Sequence, residues 1–244
     1  MLAEAVGSAL ASQISSGKPL AIIVAGHNGS GKSTMWHEHL SAQLQMPLIN
    51  ADRMMMSILP EVPAGGVLPA WASALRDTNL NWMGVTQKGV ESFVLHAMTA
   101  LVPFAMETVF SHWVEGPDGR VESKITLIRQ LQAAGYFVLL LFVGLADVQL
   151  SIGRVATRVA RGGHAVDPQR LAKRFPRTQK AVAAAVLVAD AAVLMDNSRE
   201  QSKAFTVCRI ALKGQELFDL RAGSSPVPPV IAAWLDKASP RHAA

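Results

Sequence analysis

Cysteine occurs once in this chain, at Cys208, and tyrosine once, at Tyr136. A lone thiol excludes an internal disulfide and a zinc cluster built on cysteine. Aromatic residues make up 6% of the sequence, too few and too scattered for a base-stacking platform on single-stranded nucleic acid. Long hydrophobic runs are also missing. The best one, 136–146, is too short to span a bilayer and contains Gly144, and the run 181–195 is broken by Asp190. The N-terminal residues lack the basic stretch and apolar core of an export signal. These absences predict a cytoplasmic protein with no membrane association. No internal repeat, no low-complexity tract and no guanine-reading N-K-x-D segment occurs, and no histidines stand at metal-ligand spacing.

What is present is an anion-binding signature. Gly26-His27-Asn28-Gly29-Ser30-Gly31-Lys32-Ser33 matches G-x-x-x-x-G-K-S, the phosphate-binding P-loop. The apolar run 20–25 before it predicts a strand, and Thr34 onward predicts a helix to about Leu44. Glycines at those positions let backbone N–H groups turn inward around phosphate oxygens, and the helix start adds its dipole. In such a loop Lys32 reaches the outer phosphates and the Ser33 hydroxyl meets a magnesium ion. The signature predicts a nucleoside triphosphate ligand held by residues 26–34.

At 244 residues, half of them apolar, the chain suits one α/β unit. Its core is expected over about 18–200, a lid over about 150–180, and a C-terminal hairpin and helix over about 203–238. A helix over 1–17 precedes the P-loop strand. Further strands are predicted at 47–50, 103–106, 136–143 and 191–195, alternating with helices as in a parallel sheet. The stretch 60–69 reads as a loop, 116–119 as a turn, and 121–134 as a helix stopped at Gly135. Residues 204–220 alternate about Lys213-Gly214, which predicts a late β-hairpin. A short helix after Pro226–Pro229 and a frayed tail at 240–244 complete the chain.

In open parallel sheets, ligands sit outside the carboxyl ends of the strands. That rule nominates Asp52 after the second strand and Glu107-Thr108 after the third. Asp52 is suited to take a proton from an acceptor hydroxyl, its other reading being an N-cap for the helix that follows. Glu107 is suited to touch an acceptor or a metal-bound water, or else to hold Lys32 or Ser33. Asp147 and Asp196 also follow apolar runs, but their contexts predict turn caps.

The net charge of +5 is concentrated. Residues 154–180 carry eight Lys or Arg against Asp167, a balance of +7 over 27 residues that leaves −2 for the other 217 of the 244. A local patch points to a specific anion more than to general attraction for nucleic acid. Arg154, Arg158 and Arg161 share a helical face, with Ile152, Val155 and Val159 on another expected to bury. After Gly162-Gly163, the residues Arg170, Lys173, Arg174 and Arg177 cluster, with Leu171 and Phe175 turned away. Two short arginine-faced helices about a Gly-Gly turn predict a lid over phosphates.

Taken in order, G-x-N-G-S-G-K-S-T at 26–34, N-A-D at 50–52, E-T-x-x-S at 107–111, G-Y-x-V-x-L-x-F-V-G-L at 135–145, R-V-x-x-R-V-x-x-G-G-H-x-V at 154–166 and R-F-x-R-[ST] at 174–178 resemble the zeta toxin family, especially its stand-alone bacterial members. The resemblance covers most of 20–197. It implies a kinase-like P-loop NTPase fold, a parallel sheet of about five strands flanked by helices, using ATP and Mg2+. It implies phosphorylation of a hydroxyl on UDP-N-acetylglucosamine, a nucleotide sugar, or a similar anionic small metabolite. Carried over by position, Lys32 would hold the transferring phosphate and Asp52 would be the base. Glu107 and Thr108 would contact the acceptor, and Arg158 and Arg174 would stabilise transferring charge, with Arg154 and Arg161 as alternatives. The chain departs from relatives at His27, where proline is common, at Arg53, and over 112–122, differences that concern the acceptor more than the nucleotide. No fused antitoxin segment is apparent, so neither toxicity nor an antitoxin partner follows from the sequence. Two other function classes stand beside the kinase: a nucleic-acid-binding P-loop protein using its arginine helices, and a nucleotide-gated interaction protein without acceptor chemistry.

Overall fold

Strand β1 (Leu20–Gly26) is buried at every position, with both faces covered, as expected of a central parallel strand. The computed structural model, which describes residues 2–63 and 66–241, places helix α1 (Leu2–Ser16) before it. After the P-loop come α2 (Lys32–Met35), a π-helical turn (Trp36–Leu40) and α3 (Ser41–Leu44), which ends at Gln45 in the left-handed conformation. Then follow β2 (Leu48–Ile49), α4 (Ala51–Ser57), α5 (Ala70–Thr78), α6 (Leu80–Ala100) and β3 (Phe104–Thr108). A small hairpin, β4 (Trp113–Glu115) and β5 (Val121–Ser123), precedes α7 (Ile125–Ala133) and β6 (Phe137–Gly144). The chain continues through α8 (Val148–Ala160), α9 (Pro168–Val186), β7 (Ala191–Asp196), β8 (Thr206–Leu212), β9 (Gln215–Asp219) and α10 (Pro229–Ala238).

The main sheet runs β2-β3-β1-β6-β7-β8-β9. Its first five strands are parallel, and the expected late hairpin, β8 and β9, extends it antiparallel. Alternate residues of β1 feed two cores. Ala21, Ile23 and Ala25 join a cluster with α6, α7, α9 and α10. Leu20, Ile22 and Val24 join the other, with α1 and the π-helical turn. Connections from β1 leave to one side for β2 and β3 and later to the other for β6, so the sheet's switch point falls at the end of β1.

Three expectations are corrected. The predicted helix over 121–134 starts at Ile125, because Val121, Glu122 and Ser123 pair with Glu115, Val114 and Trp113. The second arginine helix is not short: α9 runs 19 residues, and its later half, with Ala181, Val182 and Ala185, is buried in the core. Val159, expected to bury, is 38% exposed, whereas Ser151 is buried on that helix. Of the predicted tail, residues 242–244 lie outside the described residues, as do 64 and 65 within the predicted loop 60–69. Among the described residues, no helix is long and apolar enough to cross a membrane.

Candidate phosphoryl-transfer cleft

The P-loop connects β1 to α2 at the switch point. Gly31 caps α2 with φ 91, and a Cβ there would lie 2.6 Å from Asn197 Nδ2, so only glycine fits the turn. Two braces hold the loop. Asn197 Nδ2 donates to Ser30 O at 2.9 Å from the exit of β7, and Ser151 Oγ of α8 donates to Asn28 O at 2.7 Å. His27 is 2% exposed. Its ring stacks on Phe175 of α9 at 3.8 Å between centroids, 10° from parallel. Burial, and then the nearby Lys32 charge, push its pKa down to about 3, so this imidazole is neutral at physiological pH.

Lys32 donates from Nζ to His27 O at 2.9 Å and lies 3.9 Å from Glu107 Oε1. Burial lowers its ammonium pKa, while Glu107 and Asp52 oppose that shift and Arg158 adds to it. Parallel pairing of β1 with β3 sets Val24 beside Glu107 and Ala25 beside Thr108. That register carries the Glu107 carboxylate to the Ser33 hydroxyl, which donates to Oε1 at 3.0 Å and Oε2 at 2.9 Å.

Asp52 lies in the first turn of α4. The cap of that helix is Asn50, whose Oδ1 accepts from Asp52 N at 2.9 Å and Arg53 N at 3.2 Å. The Asp52 carboxylate is thus released from capping. It has no hydrogen bond or ion pair among the described residues, and it lines the cleft. By contrast, Asp147 caps α8 through Leu150 N. Asp196 is fully buried and accepts from Trp234 Nε1, Ser198 Oγ and Arg199 Nε.

The open cleft, about 700 Å³, is lined by Asn28, Gly29, Gly31, Lys32, Ser33 and Thr34 of the loop, and by Asp52, Glu107, Thr108, Arg158 and Arg174. Of the P-loop positions, Gly26, His27 and Ser30 instead form the buried base of the turn. The alternative Arg154 also lines the cleft, and Arg161 does not. Arg158 Nη2 donates to His164 O at 2.8 Å. Burial, with the neighbouring Arg170, lowers the Arg174 pKa, and Asp52 opposes that shift.

Sequence reasoning passed over four residues. Lys124 lines the cleft and donates from Nζ to Thr108 Oγ1 at 2.6 Å, but it was hidden inside a stretch predicted as helix. Asn197 braces the loop from a distant strand exit, which no local pattern marks. Arg76 and Asp77 at the end of α5 hold the Gly162–His164 turn: Arg76 Nη1 donates to Gly162 O at 3.2 Å, and Asp77 Oδ1 lies 2.9 Å from His164 Nδ1.

A family model described as Zeta toxin matches residues 4–203. Among solved structures, the chain is similar to one from the PezAT chromosomal toxin–antitoxin system of Streptococcus pneumoniae. The two share 13% identity and a TM-score of 0.52 over 89% of this chain and 78% of that one. It is also similar to AvrRxo1-ORF1:AvrRxo1-ORF2 with sulphate ions, at 12% identity and a TM-score of 0.61 over 99% and 72% of the two chains. The form of that complex with ATP gives 13% identity and a TM-score of 0.61 over 99% and 71%. Identities this low carry the fold and nothing finer. No curated protein matches the sequence.

Proposed function

This chain belongs to the zeta toxin family, and from that premise we propose that it is an ATP-dependent phosphotransferase. Its acceptor is a hydroxyl of UDP-N-acetylglucosamine or a similar anionic small metabolite. The observation that carries the proposal is one cleft holding the P-loop lysine, an uncapped aspartate and lid arginines together. The ATP in the AvrRxo1-ORF1:-ORF2 complex, which shares the fold, supports ATP as donor.

The chemistry follows from the placement of charge. Phosphoryl transfer needs phosphates held in place, developing charge offset, and an acceptor oxygen aimed at phosphorus. Lys32 and the loop N–H groups hold the β- and γ-phosphates. Asp52 accepts the proton of the acceptor hydroxyl as its oxygen bonds to the γ-phosphorus and the bridge to the β-phosphate breaks, releasing ADP. Arg158 and Arg174 bear on the migrating group with bidentate guanidinium contacts. Glu107 and Thr108 face the acceptor from the end of β3. The Ser33 hydroxyl and Glu107 carboxylate are hard oxygen donors side by side, a set that fits magnesium bound along with phosphates. When bound there, the ion offsets negative charge on the phosphates.

A nucleic-acid reading is weaker, because Arg154, Arg158, Arg174 and Arg177 converge on the cleft instead of forming an external stripe. The toxin–antitoxin setting of PezAT extends the proposal to an antitoxin partner, to be sought by co-purification from the native source. The decisive experiment incubates the protein with labelled ATP, magnesium and a metabolite extract, beside Asp52→Asn and Lys32→Ala. The parent is expected to label one small-molecule product. Asp52→Asn should cut turnover by about 10²–10⁴, and Lys32→Ala should abolish transfer. Equal labelling by Asp52→Asn would remove the base assignment, and undiminished transfer by Lys32→Ala would end the P-loop proposal.

A further inference from the structure

Lys124 stands at the junction of β5 and α7, half-buried, with its ammonium in the cleft wall. The ammonium has, among the described residues, one hydrogen-bond partner, a neutral hydroxyl, Thr108 Oγ1. Among the described residues it forms no ion pair. Burial lowers its pKa, Glu91 opposes the shift and Arg174 adds to it. A cation taken partly out of water without a carboxylate beside it is costly, and an exposed position would have avoided that cost.

The cations of the cleft divide by origin. Lys32, Arg154 and Arg158 come from the P-loop and from α8, which braces it through Ser151. Lys124, Arg174 and Arg177 come from the far wall, formed by the exit of β3, the start of α7 and α9. Six cations thus face only two carboxylates, Asp52 and Glu107, and Glu107 is already engaged by Ser33 and Lys32. The nucleotide's phosphates answer the first group. Of the second group, Arg174 bears on the migrating phosphate, whereas Lys124 and Arg177 line the cleft and form no ion pair among the described residues.

We propose that Lys124, with Arg177 lining the same cleft, binds a phosphate or diphosphate group carried by the acceptor, and so selects phosphorylated acceptors over neutral ones. The inference rests on the kinase reading of the same cleft and adds a residue and a recognition rule to it. Thr108 then has a definite part: it accepts from Lys124 and sets the direction of the ammonium. Because it stands at Thr108 on the wall away from the P-loop, Lys124 acts on acceptor binding and not on the phosphate being moved.

The test compares the parent with Lys124→Met and Lys124→Arg, using UDP-N-acetylglucosamine, N-acetylglucosamine 1-phosphate and N-acetylglucosamine as acceptors. Lys124→Met is expected to raise KM for the two phosphorylated acceptors by about 10-fold or more, with kcat within about threefold and KM for ATP unchanged. Lys124→Arg should recover most of the loss, and the neutral sugar should not distinguish the variants. Loss confined to UDP-N-acetylglucosamine assigns the site to a diphosphate; equal loss on the monophosphate assigns it to a single phosphate. An unchanged KM for both phosphorylated acceptors overturns the proposal, and so does an equal rise in KM for ATP. If the parent phosphorylates none of the three, the acceptor assignment fails separately. The subsite is then read by titrating UDP into protein saturated with magnesium and a non-hydrolysable ATP analogue. Binding about 10-fold weaker in Lys124→Met supports it, and equal or absent binding in the parent overturns it.

Discussion

His27 carries two duties in one side chain and its own backbone. Its carbonyl accepts from Lys32 Nζ, and its ring lies flat on Phe175, the neighbour of Arg174 in α9. The P-loop and α9 are therefore in direct contact through an imidazole that must stay neutral. Its folded pKa of about 3 lies below the ordinary 6.5, so between those values the unfolded chain binds the extra proton. Stability from this residue is complete above about pH 6.5 and is lost as pH falls toward 3, by up to about 1.4 kcal/mol per pH unit. We expect thermal melts from pH 7 to pH 4.5 to fall more steeply for the parent than for His27→Phe, which keeps a ring on Phe175 without titrating. Parallel slopes would show that the neutral imidazole is not what the acid limb reports. The motif around His27 was legible in eight consecutive residues because a phosphate nest is local backbone geometry. Its ionisation state was not, because Phe175 and Phe142 reach it only through the fold.

At the scale of elements, α10 shows how a distant segment secures the strand ends that carry the site. Trp234 is fully buried, donates from Nε1 to Asp196 Oδ1 at 3.0 Å and packs edge-on to Phe142. It covers Gly144 so closely that a Cβ there would lie 2.6 Å from the indole Cε2. Gly144→Ala should therefore push α10 outward at a cost of about 1–3 kcal/mol, lowering the melting temperature by several degrees. An unchanged melting temperature would mean the helix docks more loosely than its contacts indicate. Strand β6 was plain in the sequence, since eight uncharged apolar residues can only be buried together. The hairpin of β4 and β5 was not. Three residues are too few to display an alternation, and their partners lie across a turn. The length of α9 was hidden for a different reason: its arginine face and its buried alanine-rich half read as separate segments until both were seen on one axis.

For the whole molecule, the question is what holds the arginine turn over the P-loop. The answer is the segment between β2 and β3. Arg76 clamps Asp77 in a two-bond pair at 2.8 and 2.7 Å, which holds the Asp77 carboxyl below its usual range, with His164 adding to the effect. The same two residues contact Gly162 and His164. The segment of α8 and α9 is thus anchored at both ends, at its turn by α5 and at its base by the core packing of α9. Replacing Asp77 by alanine should release the turn, and we expect amide hydrogen exchange over 160–166 to rise about 10-fold. Exchange rates equal to the parent's would show that the α5 contacts do not anchor it.

The sequence by itself determined the strand–helix alternation, the P-loop, the aspartate after the second strand and the concentration of arginines, because each is written in neighbouring residues or in a local period. Only the tertiary structure decided which charges meet. Parallel register brought Glu107 to Ser33, Asn50 took the cap and left Asp52 open, and Arg154 turned into the cleft while Arg161 turned out. Lys124 entered the site only through the hairpin ahead of α7. Those outcomes depend on which faces bury and how far apart the elements stand, and distance through space is not encoded in distance along the chain.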